Sequence, residues 1–164
     1  MKLPPADERV FVGLGANLGD ARAAVLAACE RISGLPQTRL VARSSLYRSA
    51  PVDAAGPDFI NAVVELRTGL LPEALLAGLQ TIEQACGRER PYRHAPRTLD
   101  LDLLMHGQRQ MHSAQLTLPH PRLHERAFVL QPLLELAPDL HHPVLGPLRS
   151  CLAATADQAI EKLP

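Results

Sequence analysis

Tryptophan is absent from this sequence of 164 residues, and only five aromatic side chains occur in it. An excess of charge of one sign is also lacking, because 17 lysines and arginines balance 17 aspartates and glutamates. Net charge therefore draws the protein to no partner, and we expect it to bind neither nucleic acid nor a membrane surface. No apolar run approaches the length of a membrane span, and the N-terminus has no apolar signal segment.

Cysteine is scarce and irregularly spaced. Cys29, Cys86 and Cys151 are odd in number and form no CxxC pair. This pattern excludes a disulfide framework and a cysteine zinc site, and it indicates a reducing compartment, the cytoplasm. The length and the apolar fraction of 46% predict a single domain over residues 1–164, with one buried core.

The periodicity of the apolar residues predicts an α+β fold. Strands are expected at 10–15, 38–48, 59–66 and 99–105, and helices at 20–34, 72–87, 127–136 and 148–163. The first six elements run strand, helix, strand, strand, helix, strand, which is the order of the ferredoxin-like βαββαβ sandwich. In that fold both helices cover one face of an antiparallel sheet. The other face is then left for loops and ligands.

Two aspartates alternate with leucines in the last of these strands. Because side chains in a strand alternate between faces, Asp100 and Asp102 share one face, with their Cα atoms roughly 6–7 Å apart. Two carboxylates on an open face repel each other unless a cation lies between them, and Mg²⁺ prefers carboxylate and phosphate oxygens. Such a pair could bridge two metal ions. Taken alone, the alternation also fits an ordinary half-exposed strand.

An arginine-rich loop precedes this strand and favours a phosphate ligand. Residues 88–97 contain four arginines and one histidine. Like charge at this density is costly unless an anion joins it, and phosphate oxygens accept bidentate bonds from arginine. Alone, the loop also fits a solvated basic segment. Beside the aspartate pair, it indicates phosphoryl-type transfer, in which a metal neutralises the phosphates and arginine stabilises the charge that develops.

Two of the aromatic residues lie at the ends of predicted elements. Phe59 opens a strand and Phe128 opens a helix, each close to a polar residue, Asn61 or Arg126. Two such rings could sandwich a flat ligand while the Asn61 amide binds its edge. Taken alone, the two phenylalanines fit a hydrophobic core better.

Glycines follow the first predicted strand, at Gly13, Gly15 and Gly19. Their spacing does not match the dinucleotide fingerprint, because the last glycine comes one residue late and no acid follows at the required distance. We expect them instead to allow a tight turn and a close approach of the backbone to a ligand. Further along, His120 lies in a proline-rich loop, where a helix is disfavoured, and we predict that it donates to phosphate.

Several motifs occur in the order in which one enzyme family has them. They are GANLGD (15–20), YRSAPV (47–52), PDFIN (57–61), IE (82–83), GRER (87–90), PRTLDLD (96–102), PHPR (119–122) and ERAFVL (125–130). Through them the chain resembles the 6-hydroxymethyl-7,8-dihydropterin pyrophosphokinases of folate synthesis, over about residues 10–140. The combination is highly specific, although no single motif is.

The resemblance implies the ferredoxin-like sandwich and the transfer of pyrophosphate from ATP to the pterin hydroxymethyl group, which leaves AMP. It also implies that Asp100 and Asp102 hold two Mg²⁺ ions and that Arg88 and Arg97 are the principal catalytic arginines. The implied ATP-binding residues are Gln80, Glu83, Arg88, Arg90, Arg97, Leu103, Thr117, His120 and Arg126. The implied pterin-binding residues are Ser49, Ala50, Val52, Phe59, Asn61 and Phe128.

One departure from the family pattern lies in the arginine loop. His94 and Ala95 stand where the family commonly has tryptophan and glycine, and the loop is one residue shorter than in some members. The roles of Arg90 and His94 are therefore less directly transferred than those of the aspartate pair and Arg97. The chain is expected to act as a monomer.

Two other functions stay open on the sequence. An RNA-binding module of ferredoxin-like fold would need aromatic residues on its central strands and basic surroundings, which the two aspartates and the zero net charge oppose. A metal-dependent nuclease or phosphatase could use the same aspartate pair. Formation of AMP that depends on the pterin distinguishes a pyrophosphokinase from such a hydrolase.

Overall fold

The computed structural model describes residues 7–51, 56–87 and 99–164. Its centre is an antiparallel sheet of six strands. Five of them lie in the order β10 (Ile160–Lys162), β3 (Tyr47–Ser49), β4 (Phe59–Thr68), β1 (Glu8–Ala16) and β5 (Asp100–His106), and β2 (Thr38–Arg43) also pairs with β4. The helices are α1 (Ala21–Ser33), α2 (Pro72–Gly87) and α3 (Ala127–Leu136).

Short elements connect these parts. Two small hairpins are formed by β6 (Met111–His112) with β7 (Thr117–Leu118) and by β8 (His141–His142) with β9 (Gly146–Pro147). Two 3-10 segments span Leu123–Glu125 and Leu148–Thr155. No helix in the described ranges is long and apolar enough to span a membrane.

Helices α1 and α2 cover one face of the sheet, as the fold class predicts. Alternate residues of β1, Val12 and Leu14 among them, pack on this face against Val25 of α1 and Leu79 of α2. Helix α1 begins where the sequence predicts, because Oδ1 of Asp20 accepts a hydrogen bond from the Ala23 amide at 3.0 Å.

Helix α3 packs on the opposite face, which the sequence analysis left entirely to loops and ligands. That expectation is wrong for the part of the face where Phe11 and Val63 form a core with Leu130 and Leu133. The physical reason lies in β1, where only Phe11 provides a large apolar side chain on this face for a helix to cover. The next residue of β1 on this face is Gly13, and here the face is open.

The C-terminal helix predicted at 148–163 is correct only for its first half, and there the helix is 3-10 rather than α. The chain forms the 3-10 segment Leu148–Thr155 and then strand β10, in which Ile160 pairs with Ser49. Pairing with β10 covers the edge of β3 that would otherwise expose unpaired amide and carbonyl groups, and this gain outweighs the apolar periodicity.

The strand predicted at 38–48 is interrupted in the structure. It divides into β2, which ends at Arg43, and β3, which begins at Tyr47. Between them the hydroxyl of Ser44 accepts a hydrogen bond from the Val63 amide at 2.9 Å. A side-chain oxygen thus replaces a backbone carbonyl in the ladder, and the chain passes from one pairing with β4 to another.

Candidate active site

A cleft of about 210 Å³ lies on the face of the sheet beyond α3. Its walls come from β1, β3, β4, β5 and the beginning of α3. It is lined by eight of the residues that the family resemblance implies: Ser49, Ala50, Phe59, Asn61, Asp100, Asp102, Arg126 and Phe128. Residues expected at the pterin, at the metal ions and at ATP therefore meet in one place.

Two glycines of the central strand form the floor of this cleft. Gly15 pairs with Asn61 of β4 and with Asp100 of β5. A Cβ atom on Gly15 would lie 3.2 Å from Oδ1 of Asn61 and 3.7 Å from the ring of Phe59. A Cβ atom on Gly13 would meet only the side chain of Leu104, at an ordinary contact distance of 3.5 Å.

Gly13 and Gly15 are therefore not turn residues, contrary to our expectation, whereas Gly19 lies in the bend between β1 and α1 as expected. Gly13 and Gly15 both lie within β1, and of the three glycines only Gly19 has a positive φ, of 58°. A glycine inside a strand weakens it, and it often marks a place where another group approaches the backbone closely. Because Gly13 and Gly15 place no side chain in the cleft, there is room for the expected close approach of a ligand to the backbone.

The aspartate pair lies on β5 as the alternation predicts. Leu101 and Leu103 are buried on the helix-covered face, whereas Asp100 is half-buried and Asp102 exposed on the cleft side. Within the described ranges, no three His, Cys, Asp or Glu side chains form a group that could hold a metal ion. Carboxylate oxygens suit Mg²⁺, which also retains water and takes substrate phosphates as ligands.

A buried amide forms one wall of the cleft. The side chain of Asn61 donates from Nδ2 to Oγ of Ser49 at 2.7 Å, and the two residues are only 3% and 7% exposed. This bond orients the amide so that its oxygen lies beside Gly15. The amide is thus positioned before any ligand arrives, with a fixed direction for its acceptor atom.

Two aromatic rings and one cation complete the cleft. Phe59 is the first residue of β4, and Phe128 lies in the first turn of α3. Both are half-buried, so neither belongs to the fully buried core. The guanidinium carbon of Arg126 lies 5.6 Å from the ring centroid of Phe128, within the range of a cation–π contact.

His120 lies close to the cleft without lining it. Its backbone amide donates to the carbonyl of Leu104 at 2.8 Å, which holds the loop against β5. Burial lowers the pKa of His120, the charge of Asp102 acts to raise it, and Arg126 and Arg122 lower it further. Because Nδ1 accepts a hydrogen bond from the Arg122 amide at 3.1 Å, the proton of the neutral ring is on Nε2.

Four other residues of the expected ATP set do not line the cleft. Gln80 is exposed on α2, and Thr117 lies in β7 with its hydroxyl 3.4 Å from Nδ1 of His112. Oε2 of Glu83 accepts a hydrogen bond from the Leu101 amide at 2.8 Å, which joins α2 to β5. The side chain of Leu103 is in the core, 3% exposed, so only its backbone could meet a nucleotide.

Four expected site residues, Val52, Arg88, Arg90 and Arg97, lie outside the described residues. Conversely, the cleft includes Leu14 and Val129, which the sequence analysis did not select. Val129 carries no polar signal, and nothing in its side chain distinguishes it from a core residue. The place of Gly13 in the cleft could be predicted from the sequence, because a glycine within an apolar strand pattern indicates that another group approaches the backbone closely.

Comparison with known proteins decides the family. Residues 11–138 match the family model for 7,8-dihydro-6-hydroxymethylpterin-pyrophosphokinase. A 2-amino-4-hydroxy-6-hydroxymethyldihydropteridine pyrophosphokinase of Pseudomonas aeruginosa is 47% identical over 96% of this chain and 98% of its own length. The enzyme of the same name from Methylorubrum extorquens is 42% identical over 94% of this chain and 98% of its own. This chain belongs to the pyrophosphokinase family.

Solved structures of the family have the same fold. The wild-type HPPK-DHPS of Plasmodium falciparum matches 90% of this chain with a TM-score of 0.73, at 12% sequence identity. The chain spans 44% of the length of that protein, which is a longer polypeptide. At such low identity the match concerns the fold alone, and it confirms the ferredoxin-like sandwich of the pyrophosphokinase family.

The expected function is also confirmed at the level of the family. Members carry out pyrophosphate transfer to a hydroxymethyldihydropterin in folate synthesis. The family assignment favours pyrophosphate transfer over the two alternatives that the sequence left open, RNA binding and phosphate-ester hydrolysis. The roles of individual residues in the cleft stay predictions.

Proposed function

We propose that this chain uses ATP and Mg²⁺ to transfer pyrophosphate to 6-hydroxymethyl-7,8-dihydropterin, and that the described cleft is where the two substrates meet. One observation carries the proposal. A pair of aspartates on β5 and a pair of half-buried rings, Phe59 and Phe128, line the same cleft above a side-chain-free floor. Side chains suited to metal-bound phosphates and side chains suited to stacking on a flat ring therefore lie within reach of one small substrate.

The pterin fits the end of the cleft that contains the rings and the buried amide. A flat heterocycle between Phe59 and Phe128 gains stacking on both faces. Its edge carries donors and acceptors, which the oriented amide of Asn61 matches. By the resemblance, the backbone of Ser49, Ala50 and Val52 would bind the same edge.

The aspartates fit magnesium by the chemistry of their oxygen atoms. Asp100 and Asp102 would hold the ions, two by the resemblance, with the remaining positions taken by water and by phosphate oxygens. When bound, the metal neutralises the phosphates and orients them. A cation between the two carboxylates would offset the repulsion between them.

Cationic and neutral donors would hold the triphosphate. Arg126 lines the cleft, and neutral His120 offers its Nε2–H close to Asp102. The resemblance adds Arg88, Arg90 and Arg97 at the phosphates, and Gln80, Glu83, Leu103 and Thr117 at the nucleoside. For Leu103 the contact is with the backbone, because its side chain is in the core.

In this arrangement the chain acts by positioning its two substrates. The hydroxyl oxygen of the pterin forms a bond to the β-phosphorus while the bond from that phosphorus to the bridging oxygen of AMP breaks, and the hydroxyl proton is released to water. Stacking between Phe59 and Phe128 aims the hydroxymethyl group along this line. The arginines stabilise the negative charge that shifts onto the departing AMP oxygen. We further propose that the protein does this as a cytoplasmic monomer with one domain, residues 1–164.

Formation of AMP tests the proposal directly. The protein is incubated with ATP and MgCl₂, with and without 6-hydroxymethyl-7,8-dihydropterin, and AMP is separated by chromatography. We expect AMP only when the pterin is present, together with an equal amount of pterin diphosphate. AMP or ADP formed at the same rate without the pterin contradicts the proposal and indicates a hydrolase.

A further inference from the structure

We infer that Gln158 is a positioning residue. It fixes the backbone on both sides of Arg126 and thereby holds the side chains of the cleft that contact the pterin and the phosphates. The inference rests on the proposed function in that Arg126 and Phe128 are taken to contact the substrates. Gln158 itself does not line the cleft. It precedes β10, in the region where the sequence predicts a helix.

The side chain of Gln158 bridges the junction between the 3-10 segment Leu123–Glu125 and α3. Its Oε1 accepts a hydrogen bond from the amide of Ala127, and its Nε2 donates to the carbonyl of Glu125, both at 2.8 Å. These two backbone groups flank Arg126. One amide side chain therefore holds the residue before and the residue after the cleft arginine.

Helix α3 needs such a partner at its first turn. The first amides of a helix have no partner within the helix, and a side chain at the N-cap position commonly provides one. Here the N-cap residue is Arg126, which makes no capping hydrogen bond. Gln158 provides the cap from a distant part of the chain, which leaves the guanidinium of Arg126 directed to Phe128.

The space around this junction makes the bridge important. A second cleft, of about 330 Å³, is lined by Arg122, Arg126, Phe128 and Gln158. The first turn of α3 thus has open volume beside it as well as in front of it. The buried residues of α3 anchor the helix to the core, but on this open side the two hydrogen bonds of Gln158 are what hold the backbone around Arg126.

The same segment is tied to the other wall of the cleft. Two residues after Gln158, strand β10 begins, and Ile160 pairs with Ser49, whose hydroxyl accepts the hydrogen bond from Asn61. The C-terminal segment thus connects the ring of Phe128 to the amide of Asn61. We expect it to set the distance between the stacking wall and the edge-binding wall.

Gln158→Leu tests this role, because leucine has a similar size and cannot form either bond. We expect the pterin dissociation constant, measured by calorimetry, to rise roughly tenfold, because the loss of two hydrogen bonds would reduce the fraction of the protein in which Arg126 and Phe128 are correctly placed. The matched control is Gln108→Leu, which removes an exposed glutamine bonded at 2.9 Å to the carbonyl of His141, far from the cleft. The control should bind the pterin like the wild-type protein.

A second pair of measurements separates positioning from general stability. Gln158→Glu keeps an acceptor for the Ala127 amide but places its second oxygen against the Glu125 carbonyl, so it should recover only part of the pterin affinity that Gln158→Leu loses. In a Phe128→Ala background, Gln158→Leu should add less than about a twofold loss, because residues that act through one another are not additive. Pterin affinity equal to that of the Gln108→Leu control, or a full tenfold loss added to Phe128→Ala, would overturn the inference.

Amide hydrogen exchange keeps the inference testable if the proposed function fails. Gln158→Leu should increase exchange in the first turn of α3, at Ala127–Leu130, while Gln108→Leu leaves it unchanged. A wild-type protein that makes no AMP contradicts the proposed function alone. Unchanged exchange at Ala127–Leu130 in Gln158→Leu contradicts the positioning role alone.

Discussion

The two ends of strands β1 and β5 carry acidic side chains in contrasting surroundings. At one end, Glu8 accepts hydrogen bonds from Arg109 and lies 3.1 Å from Nδ1 of His106, which is 1% exposed. At the other end, Asp100 and Asp102 lie on one face of β5, next to the glycines of β1. At the first end, the carboxylate of Glu8 lies against a guanidinium and an imidazole. At the second end, two carboxylates lie on the same face of β5.

This contrast separates stability from function within one pair of strands. An ion pair such as that of Glu8 with Arg109 stabilises the fold, whereas neighbouring like charges and glycines within a strand contribute little to it. Natural proteins place like charges together, or glycine within a strand, mainly at functional sites, where a bound ligand offsets the cost in stability. We therefore expect substitutions at the Asp100 end to affect turnover and those at the Glu8 end to affect unfolding.

The largest expected effect is that of Asp102→Ala. Turnover should fall at least about 100-fold, as is typical when a group that stabilises charge in the transition state is removed. The melting temperature should stay equal or rise, because the repulsion between the two carboxylates is relieved. Initial rates of AMP formation and thermal unfolding measure the two effects.

Asp139→Ala is the control for this substitution. Asp139 is also exposed and its carboxylate accepts a hydrogen bond from Arg149 at 2.8 Å, far from the cleft. Its loss should leave turnover unchanged. Wild-type turnover of Asp102→Ala at ordinary Mg²⁺ concentrations would remove the aspartate from the proposed metal site.

The next effect concerns the floor of the cleft, through Gly15→Ala and Gly13→Ala. Both add one methyl group to β1, but only the methyl on Gly15 would press on Asn61, at 3.2 Å, and on the ring of Phe59. Gly15→Ala should weaken pterin binding roughly tenfold or more, since overpacking typically costs about 1–3 kcal/mol. Gly13→Ala, whose methyl group would meet only Leu104, should weaken pterin binding much less, and calorimetric titration of both variants provides the comparison. Equal affinities in the two would mean that the pterin does not lie over Gly15.

A smaller effect is expected for Phe128→Ala, which removes one stacking face. Stacking contributes about 0.5–1.5 kcal/mol beyond the buried area, so pterin affinity should fall roughly fivefold or more. Affinity for ATP, measured separately with a non-hydrolysable analogue, should change much less. An unchanged pterin dissociation constant would show that Phe128 only packs against the core.

The elements with a strong repeating pattern were predictable from the sequence. The alternation around Asp100 placed both carboxylates on one face, and Asp20 marked the beginning of α1. The family motifs located the cleft residues of β3, β4 and α3. What could not be predicted depends on contacts between distant segments.

Strand β10 is the clearest example of such a contact. Its residues have helical periodicity, and only the exposed edge of β3 makes them a strand. The same limit applies to Gln158, whose importance depends on two backbone groups more than 30 residues away. The partial cover of the second face by α3 likewise follows from the change from Phe11 to Gly13, whose consequence is visible only in three dimensions.

The smallest effect is predicted at the other end of the strands, for Glu8→Gln. The hydrogen bond from Arg109 holds the pKa of Glu8 below its usual value of 4.5, burial acts to raise that pKa, and His106 lowers it further. A carboxyl group with a lowered pKa in the folded state stabilises the fold at pH values above its unfolded pKa. This contribution is lost as the pH falls through the folded pKa.

Glu8→Gln should therefore lower the melting temperature at pH 7 by about 2–4 °C, which corresponds to roughly 1 kcal/mol for a partly exposed ion pair. The difference from the wild-type protein should shrink below about pH 4.5 and vanish once Glu8 is protonated in the folded state. Glu30→Gln, an exposed position on α1, is the control and should change the melting temperature little at any pH. AMP formation by Glu8→Gln at 25 °C should equal that of the wild-type protein, because the cleft lies at the opposite end of β1. A loss of turnover at unchanged stability would contradict the idea that the Glu8 end serves stability and the Asp100 end serves function. A melting-temperature difference that persists at low pH would show that the charge of Glu8 does not stabilise its end of the strands.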